Sequence, residues 1–294
     1  MDNPSVSVII VNYNAGSLLS ACVEAVLKSS VPLEVIVSDN GSTDGSIDHL
    51  LCINQDQDLR VVENGVNLGF AAGNNQVLPY ARGEWILFLN PDCQIELDTI
   101  EKVQRAMMAR PEVGIGGCMI KNPDSTEQEG TRRDIPTPWL ALSRVLHLNR
   151  VFPEDSRFRD FNTDGTPLPK QPSNVEAISG AFMLVRGKAL EDVGPMDDGY
   201  FLHCEDLDWF MRFQQAGWRV LFVPDAEATH VKGACSQAEP IRALWHKHRG
   251  MLRFYRKFYR EKYPRPLMWA VTVAVWARFG LLGTGILLKR AVTR

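Results

Sequence analysis

The chain of 294 residues lacks the marks of several common protein classes. Its six cysteines (Cys22, Cys52, Cys93, Cys118, Cys204 and Cys235) form no C-x-x-C pair, which removes the usual zinc and thioredoxin-like patterns. Met1-Asp2-Asn3-Pro4 offers no basic stretch followed by an apolar core, so reduced and mostly buried thiols in a cytosolic setting are expected. Neither charge is in excess: Lys plus Arg is 32 and Asp plus Glu 35, a formal net charge of -3, which argues against an evenly basic nucleic-acid binder. Gly65, Gly69 and Gly73 are spaced four apart rather than as G-x-G-x-x-G, and no G-x-x-x-x-G-K-[ST] occurs. Neither a dinucleotide fingerprint nor a P-loop is present, and there is no internal repeat.

What is there is a chain 45% hydrophobic, long enough to bury a sizeable core. Short β-branched runs alternate with amphipathic stretches over the first ninety residues, the pattern of βα units on a mainly parallel sheet flanked by helices. Strands are expected at Val6 to Val11, Leu33 to Ser38, Leu59 to Val62 and Trp85 to Leu89. A helix capped by Ser17 follows the first, and a Gly/Asn-rich loop from Asn67 to Asn75 enters another. Residues 97 to 109 read as a helix and Val113 to Met119 as a strand. The stretch 121–172, rich in Pro, Asp, Arg and Asn, reads as a long excursion shaping a second-substrate site. Beyond it order resumes at Ala177 to Val185, followed by a short helix near Lys188, a turn at Gly194-Pro195, a helix from about Glu205 to Ala216 closed by Gly217, and a strand at Arg219 to Val223.

Polar loops sit repeatedly at strand C-termini, the edge at which open α/β sheets bind ligands. Asp39 ends the second strand and could accept from a pyrimidine N3–H or a ribose hydroxyl; turn chemistry is the alternative. Asp92 follows an apolar strand and a proline, a rigid position for a carboxylate ligand of a hard cation. His230 is a candidate second ligand or an ordinary histidine. Glu205, Asp206 and Asp208 occupy a first helical turn, where the macrodipole favours their ionised forms, within the aromatic flank Tyr200, Phe201, Trp209 and Phe210. Capping explains them; so does a base for an attacking hydroxyl.

In order, Ser7-Val8-Ile9-Ile10-Val11-Asn12-Tyr13-Asn14, Val37-Ser38-Asp39-Asn40-Gly41-Ser42-Thr43-Asp44-Gly45, Asn67-Leu68-Gly69-Phe70, Leu89-Asn90-Pro91-Asp92, Ser179-Gly180-Ala181-Phe182 and Glu205-Asp206-Leu207-Asp208-Trp209 resemble the family 2 inverting glycosyltransferases. The resemblance is greatest to bacterial rhamnosyltransferases that use dTDP-rhamnose. It implies the GT-A (nucleotide-diphospho-sugar transferase) fold. It assigns Val11, Asn12, Tyr13, Asp39, Asn40 and Ser42 to the nucleoside, and Asn67, Gly69 and Asn74 to the ribose–diphosphate region. Asn90 and Asp92 would stand at the nucleotide sugar, with Asp92 and His230 toward Mg²⁺ or Mn²⁺. Gly180, Ala181 and Trp209 would meet the acceptor, and Asp206 would be the general base with Glu205 beside it. The family's metal motif is often Asp-x-Asp; here its first acidic position is Asn90, one anionic ligand fewer.

From Arg242 to Arg265 nine Lys or Arg, opposed only by Glu261, interleave with aromatic residues. Leu267 to Leu288 is apolar but for Arg278, and long enough to cross a bilayer. Gly280, Gly283 and Gly285 leave a hairpin as an alternative to one span, and a soluble core helix or dimer seam as another. The expected organisation is a catalytic domain at 1–235 and a membrane-associating helical segment at 236–294. The expected place is the cytoplasmic face of a bacterial inner membrane, with a nucleotide-diphosphate sugar, a glycan or lipid-linked acceptor and an anionic membrane surface as partners, no nucleic acid, and a homodimer as a possibility. A nucleotidyltransferase on a related sheet and a non-catalytic, membrane-tethered carbohydrate-binding protein are the competing functions.

Overall fold

In the first strand, β1 (Val6–Asn12), Val8 and Ile10 face one side of the sheet while Ile9 faces the other, and all are buried because helices cover both faces. The same alternation runs through β2 (Leu33–Asp39), β4 (Trp85–Leu89) and β10 (Phe182–Arg186). The computed structural model describes residues 4–53, 58–152, 155, 157, 166–231, 233 and 239–292; Cys235 lies outside them.

The remaining strands are β3 (Leu59–Glu63), β5 (Cys93–Ile95), β6 (Val113–Lys121), β7 (Arg132–Arg133), β8 (Ser173–Val175), β9 (Ala177–Ile178) and β11 (Arg219–His230). The helices are α1 (Ser17–Leu27), α2 (Ser46–Ile53), α3 (Phe70–Val77), α4 (Thr99–Met108), α5 (Pro138–Val145), α6 (Leu148–Val151), α7 (Gly187–Val193), α8 (Glu205–Gln215), α9 (Pro240–Tyr259) and α10 (Arg265–Val292). The main sheet runs β3-β2-β1-β4-β10-β6-β11-β5, with β8 also on β11. It is parallel from β3 to β4, and β10 then enters antiparallel between β4 and β6. The N-terminal half is thus the parallel sheet the βα pattern predicts, and the remainder is mixed.

The ordered stretch from Ala177 to Val185 is two strands: Ala177–Ile178 pairs with β7 in a separate two-stranded sheet, and the turn at Ser179-Gly180-Ala181 precedes β10. Several local expectations are corrected. The strand starting at Arg219 does not stop at Val223 but runs to His230, with a register irregularity before Glu227. Ser17 is the first residue of α1, and Gly16, at φ 58, is its N-cap; the Gly16 N–H is satisfied by Asp44 Oδ2 at 2.7 Å. The glycines at 280, 283 and 285 do not break α10, which is one continuous helix. Of the described cysteines only Cys52 is exposed; burial pushes the Cys22, Cys93, Cys118 and Cys204 thiols well up from their ordinary range, which keeps them inert.

The C-terminal helices are not an appendix. Leu252, Phe254, Tyr255 and Phe258 of α9, and Val271 and Val275 of α10, belong to the same core as Phe210 and Phe213 of α8. The rest of α10 is open: Trp269 is 72% and Leu281 77% exposed, and Val273, Leu287 and Leu288 are exposed with them. Arg278, its one mid-helix charge, turns to α9 and lies 3.4 Å from His248 Nε2.

Candidate active site

Because β1, β2 and β4 are parallel neighbours, their C-terminal ends bring Asn12, Asp39 and Asn90 to one edge. β10 begins at that same edge, where Phe182 pairs with Leu89 and the Ala181 carbonyl accepts the Asn90 N–H at 3.0 Å. Gly180 then abuts α8, and a Cβ added there would stand 3.4 Å from Asp206 Oδ2. One short turn therefore joins the Asp92 segment to the Asp206 helix.

At the ends of β1 and β2, Asp39 (4% exposed) is a hub. Its Oδ1 accepts from Asn12 Nδ2 at 2.8 Å and Ser42 Oγ at 2.6 Å, and its Oδ2 from the N–H groups of Gly41 at 3.1 Å and Ser42 at 3.0 Å. All four acceptor positions are engaged within the loop, so accepting from a base requires one of these bonds to yield. Asn12 Nδ2 also reaches Ser42 Oγ and Ser46 Oγ, while its buried Oδ1 has no partner among the described residues. Val11 is buried and Tyr13 half-buried at the same strand end.

Asn40 Nδ2 donates to the Gly69 carbonyl at 3.1 Å and to Asn67 Oδ1 at 3.3 Å, and Asn64 Nδ2 donates to Asn40 Oδ1 at 2.9 Å. Gly69 sits at φ 87 and ψ 178, with the Phe201 carbonyl so close that a Cβ would fall 2.4 Å from its oxygen. The Phe70 N–H donates to that carbonyl at 2.8 Å, which locks the loop to the turn before α8. Asn74 lies buried inside α3, bonded to the Phe70 carbonyl.

Asp92 Oδ1 and His230 Nε2 are 3.0 Å apart, both buried, with Asn90 Nδ2 3.4 Å from the same nitrogen. The Val231 N–H donates to the Asp92 carbonyl at 3.0 Å, which ties the end of β11 to this segment. A carboxylate oxygen beside an imidazole nitrogen fits a divalent cation. Among the described residues no group of three or more His, Cys, Asp or Glu forms a fuller cage. Such a two-ligand set leaves coordination positions to water and substrate oxygens, as suits Mg²⁺ or Mn²⁺.

Asp206 Oδ2 is bonded by the Arg133 guanidinium, and its Oδ1 accepts the Leu207 N–H at 2.8 Å. Glu205 is buried, and desolvation, reinforced by the Asp206 charge, pushes its carboxyl up to about 8. The expectation that the helix dipole keeps all three acidic side chains ionised is corrected at Glu205, where burial wins. Asp208, fully buried, is compensated by Lys257 Nζ at 2.7 Å, Arg212 Nε at 2.9 Å and the Tyr200 hydroxyl at 3.1 Å. The aromatic flank is also corrected. Trp209 has 0% exposure, packs edge-on to Phe88 and Phe213, and donates its Nε1–H to the Gly194 carbonyl. It holds α8 from behind and offers no face to an acceptor; Tyr200 and Phe210 are equally buried.

The turn entering α8 is strained: His203 and Cys204 take φ of 69 and 72, a conformation costly for non-glycine residues. Helix α9 braces it, with His246 stacked on Phe201 at 4.3 Å between ring centroids and Arg242 over the same ring. Three site residues escaped the sequence reading. Asn64, Gln128 and Arg133 act on Asn40, His230 and Asp206 respectively. Gln128 and Arg133 belong to the irregular excursion, where no periodicity marks them.

Known proteins share this fold. The family model described as glycosyl transferase family 2 matches residues 7–194. The N-acetylglucosaminyl-diphospho-decaprenol L-rhamnosyltransferase of Mycobacterium tuberculosis is 26% identical over 290 residues, covering 94% of this chain and 92% of that protein. Rhamnosyltransferase WbbL of Escherichia coli K12 is 26% identical over 234 residues, covering 76% and 83%. Among solved structures, the mannosyltransferase PcManGT of Pyrobaculum calidifontis, in complex with GDP-Man and Mn²⁺, superposes with a TM-score of 0.59 at 19% identity, over 92% of this chain and 69% of that one. GalNAc-T7 with UDP, GalNAc and Mn²⁺ gives 0.58 at 16% identity over 78% of this chain, which spans 44% of that one. The expected GT-A architecture is the fold observed, and the chain belongs to glycosyl transferase family 2, with rhamnosyltransferases among its relatives.

Proposed function

We propose that the chain transfers L-rhamnose from dTDP-rhamnose, with inversion, to a hydroxyl of a lipid-linked saccharide in bacterial cell-surface polysaccharide synthesis. The observation that carries this is the Ser179-Gly180-Ala181 turn, which sets Asp206 beside the strand edge that holds Asp92. Both rhamnosyltransferase relatives are matched over most of their length, and the mycobacterial one is named for an N-acetylglucosaminyl-diphospho-decaprenol acceptor. An acceptor of that class, a sugar on a polyprenyl diphosphate, is the one proposed here.

In this reading the loops of Asp39, Asn40, Ser42, Asn67 and Gly69 seat the nucleoside and ribose. Gly180 and Ala181, without side-chain bulk, leave room for the acceptor hydroxyl at Asp206. The carboxylate takes the proton of that hydroxyl as it attacks the anomeric carbon, and a single displacement inverts the centre without a covalent enzyme intermediate. Mg²⁺ or Mn²⁺, held by Asp92 and His230, would neutralise charge on the departing diphosphate.

Residues 1–235 would form the catalytic unit and 236–294 the membrane-associating one, at the cytoplasmic face of the inner membrane. Arg265–Arg290 is apolar and long enough to cross a bilayer, it follows the basic α9 in the chain, and its Trp269, Leu281 and Leu288 are exposed. Incubating the whole chain with dTDP-rhamnose and a detergent-solubilised lipid-linked N-acetylglucosamine tests the function. Free dTDP with a rhamnosylated lipid is expected. Release of pyrophosphate would instead identify a nucleotidyltransferase, and no turnover of any nucleotide sugar would favour a carbohydrate-binding protein.

A further inference from the structure

A chain of side chains leads from the surface to His230, and its outer end sets the direction of every hydrogen bond in it. Asp124 is a surface carboxylate, held below its ordinary range by the Thr126 hydroxyl, and so only accepts. The Thr126 hydroxyl donates to it at 2.6 Å, leaving its oxygen to receive Asn122 Nδ2 at 3.0 Å. Asn122 Oδ1 therefore faces Gln128 Nε2, at 2.9 Å, whose second hydrogen reaches the His230 carbonyl at 3.0 Å. Gln128 Oε1 is left against His230 Nδ1 at 2.7 Å. Two acceptors do not approach so closely without a proton between them, so Nδ1 carries one. Nε2, on the other side of the ring, lies 3.0 Å from Asp92 Oδ1.

We infer that Gln128 is a positioning residue: it fixes the ring orientation of His230 and so presents Nε2 for shared coordination of a divalent cation with Asp92. The inference rests on the metal-assisted reading of the site. Gln128 is 3% exposed, and its backbone is bonded to Ile120 and Thr131, so its amide is held firmly at the end of β6. A glutamine suits the place because it meets one donor, Nδ1–H, and two carbonyl acceptors. A carboxylate would face those two oxygens with no hydrogen to give. Without the amide, the ring loses the bond that anchors Nδ1, and its Nε2 edge is free to turn away from Asp92.

The test measures Mn²⁺ binding to the full chain in the presence of dTDP, from the electron paramagnetic resonance of free Mn²⁺. Gln128→Leu should weaken Mn²⁺ binding by about 10–100-fold, the usual effect of removing an outer-shell partner, and leave dTDP binding without metal unchanged. Thr126→Val, an exposed change that touches neither His230 nor Asp92, should weaken it several-fold by freeing the Asn122 amide to turn. In the wild-type chain loaded with Mg²⁺ and dTDP, the imidazole ¹⁵N spectrum of His230 should show hydrogen on Nδ1 alone. Wild-type affinity in Gln128→Leu would overturn the inference; if that variant does not fold, wild-type affinity in Thr126→Val would do so. Failure of the wild-type chain itself to bind Mn²⁺ with dTDP would overturn the metal reading and this inference with it, a result separable from the first because it appears before any variant is made.

Discussion

Arg133 is hydrogen-bonded to Asp206 although 73 residues separate them. The proposed base is therefore met, before any acceptor arrives, by a cation from the excursion after β6. Arg133 Nε is buried and has no partner among the described residues, so the guanidinium holds a donor in reserve beside the carboxylate. Beyond the Arg133 and Leu207 bonds Asp206 keeps acceptor positions of its own, so an acceptor hydroxyl would reach it beside this arginine.

Asp206→Asn removes the proton acceptor and keeps the shape. Turnover should fall by roughly 10²–10⁴-fold, with dTDP-rhamnose affinity nearly unchanged, as read by steady-state kinetics and calorimetry. Weakened donor affinity with normal turnover would place Asp206 elsewhere in the reaction.

The buried carboxyl of Glu205 has a signature in stability. Its pKa rises from 4.5 to about 8 on folding, so between those values the native chain keeps a proton that the unfolded chain releases. Stability from this group is complete below about 4.5, falls as pH climbs to about 8, and levels off above. Glu205→Gln should flatten that part of the Tm against pH curve, and its advantage over wild type should be greatest above about 8. Arg133 favours the ionised form of Glu205, so Arg133→Leu should extend the decline to higher pH.

Gly69→Ala should be costly out of proportion to its size. The backbone there occupies a glycine-only region, worth about 1–3 kcal/mol of strain to another residue, and the new methyl would meet the Phe201 carbonyl. A lower Tm and weaker dTDP binding are expected together, because the same loop bonds Asn40. Unchanged nucleotide affinity in a destabilised variant would detach this loop from the donor.

The outward face of α10 can be altered without touching the core, since Trp269, Leu281 and Leu288 point away from Val271 and Val275. Replacing the three with serine should move the protein from anionic vesicles to the supernatant in a flotation assay while leaving its Tm within a few degrees. Retained vesicle binding would assign membrane attachment to the basic α9 alone.

The parallel half of the sheet was legible because its strands are uninterrupted apolar runs that end in Asn, Asp and Gly. That Asp39 and Asp92, candidate site residues, stand on those strand ends was legible for the same reason. Trp209 was misread since an aromatic residue next to two carboxylates looks the same in sequence whether it faces the ligand or Phe88. The path of β11 to His230 was hidden by Pro224 and Asp225, which read as a stop but fall at a register irregularity. Gln128 and Arg133 could not be found by pattern at all: each acts on a partner about 70 to 100 positions later, through a fold that only long-range pairing creates.

Helix α9 stacks on the Phe201 turn with its first half and shares a core with α10 through its second half, which ties the turn before α8 to the apolar helix. Seated on a bilayer, such an arrangement would work as a height gauge. Asp206 would hover at a set altitude above the headgroups, and only a hydroxyl carried at that altitude by its lipid stem could be glycosylated. A saccharide one or two rings longer would hold its terminal sugar above the base, so chain length on the carrier would become a selection rule imposed by the scaffold, independent of any contact to the sugar.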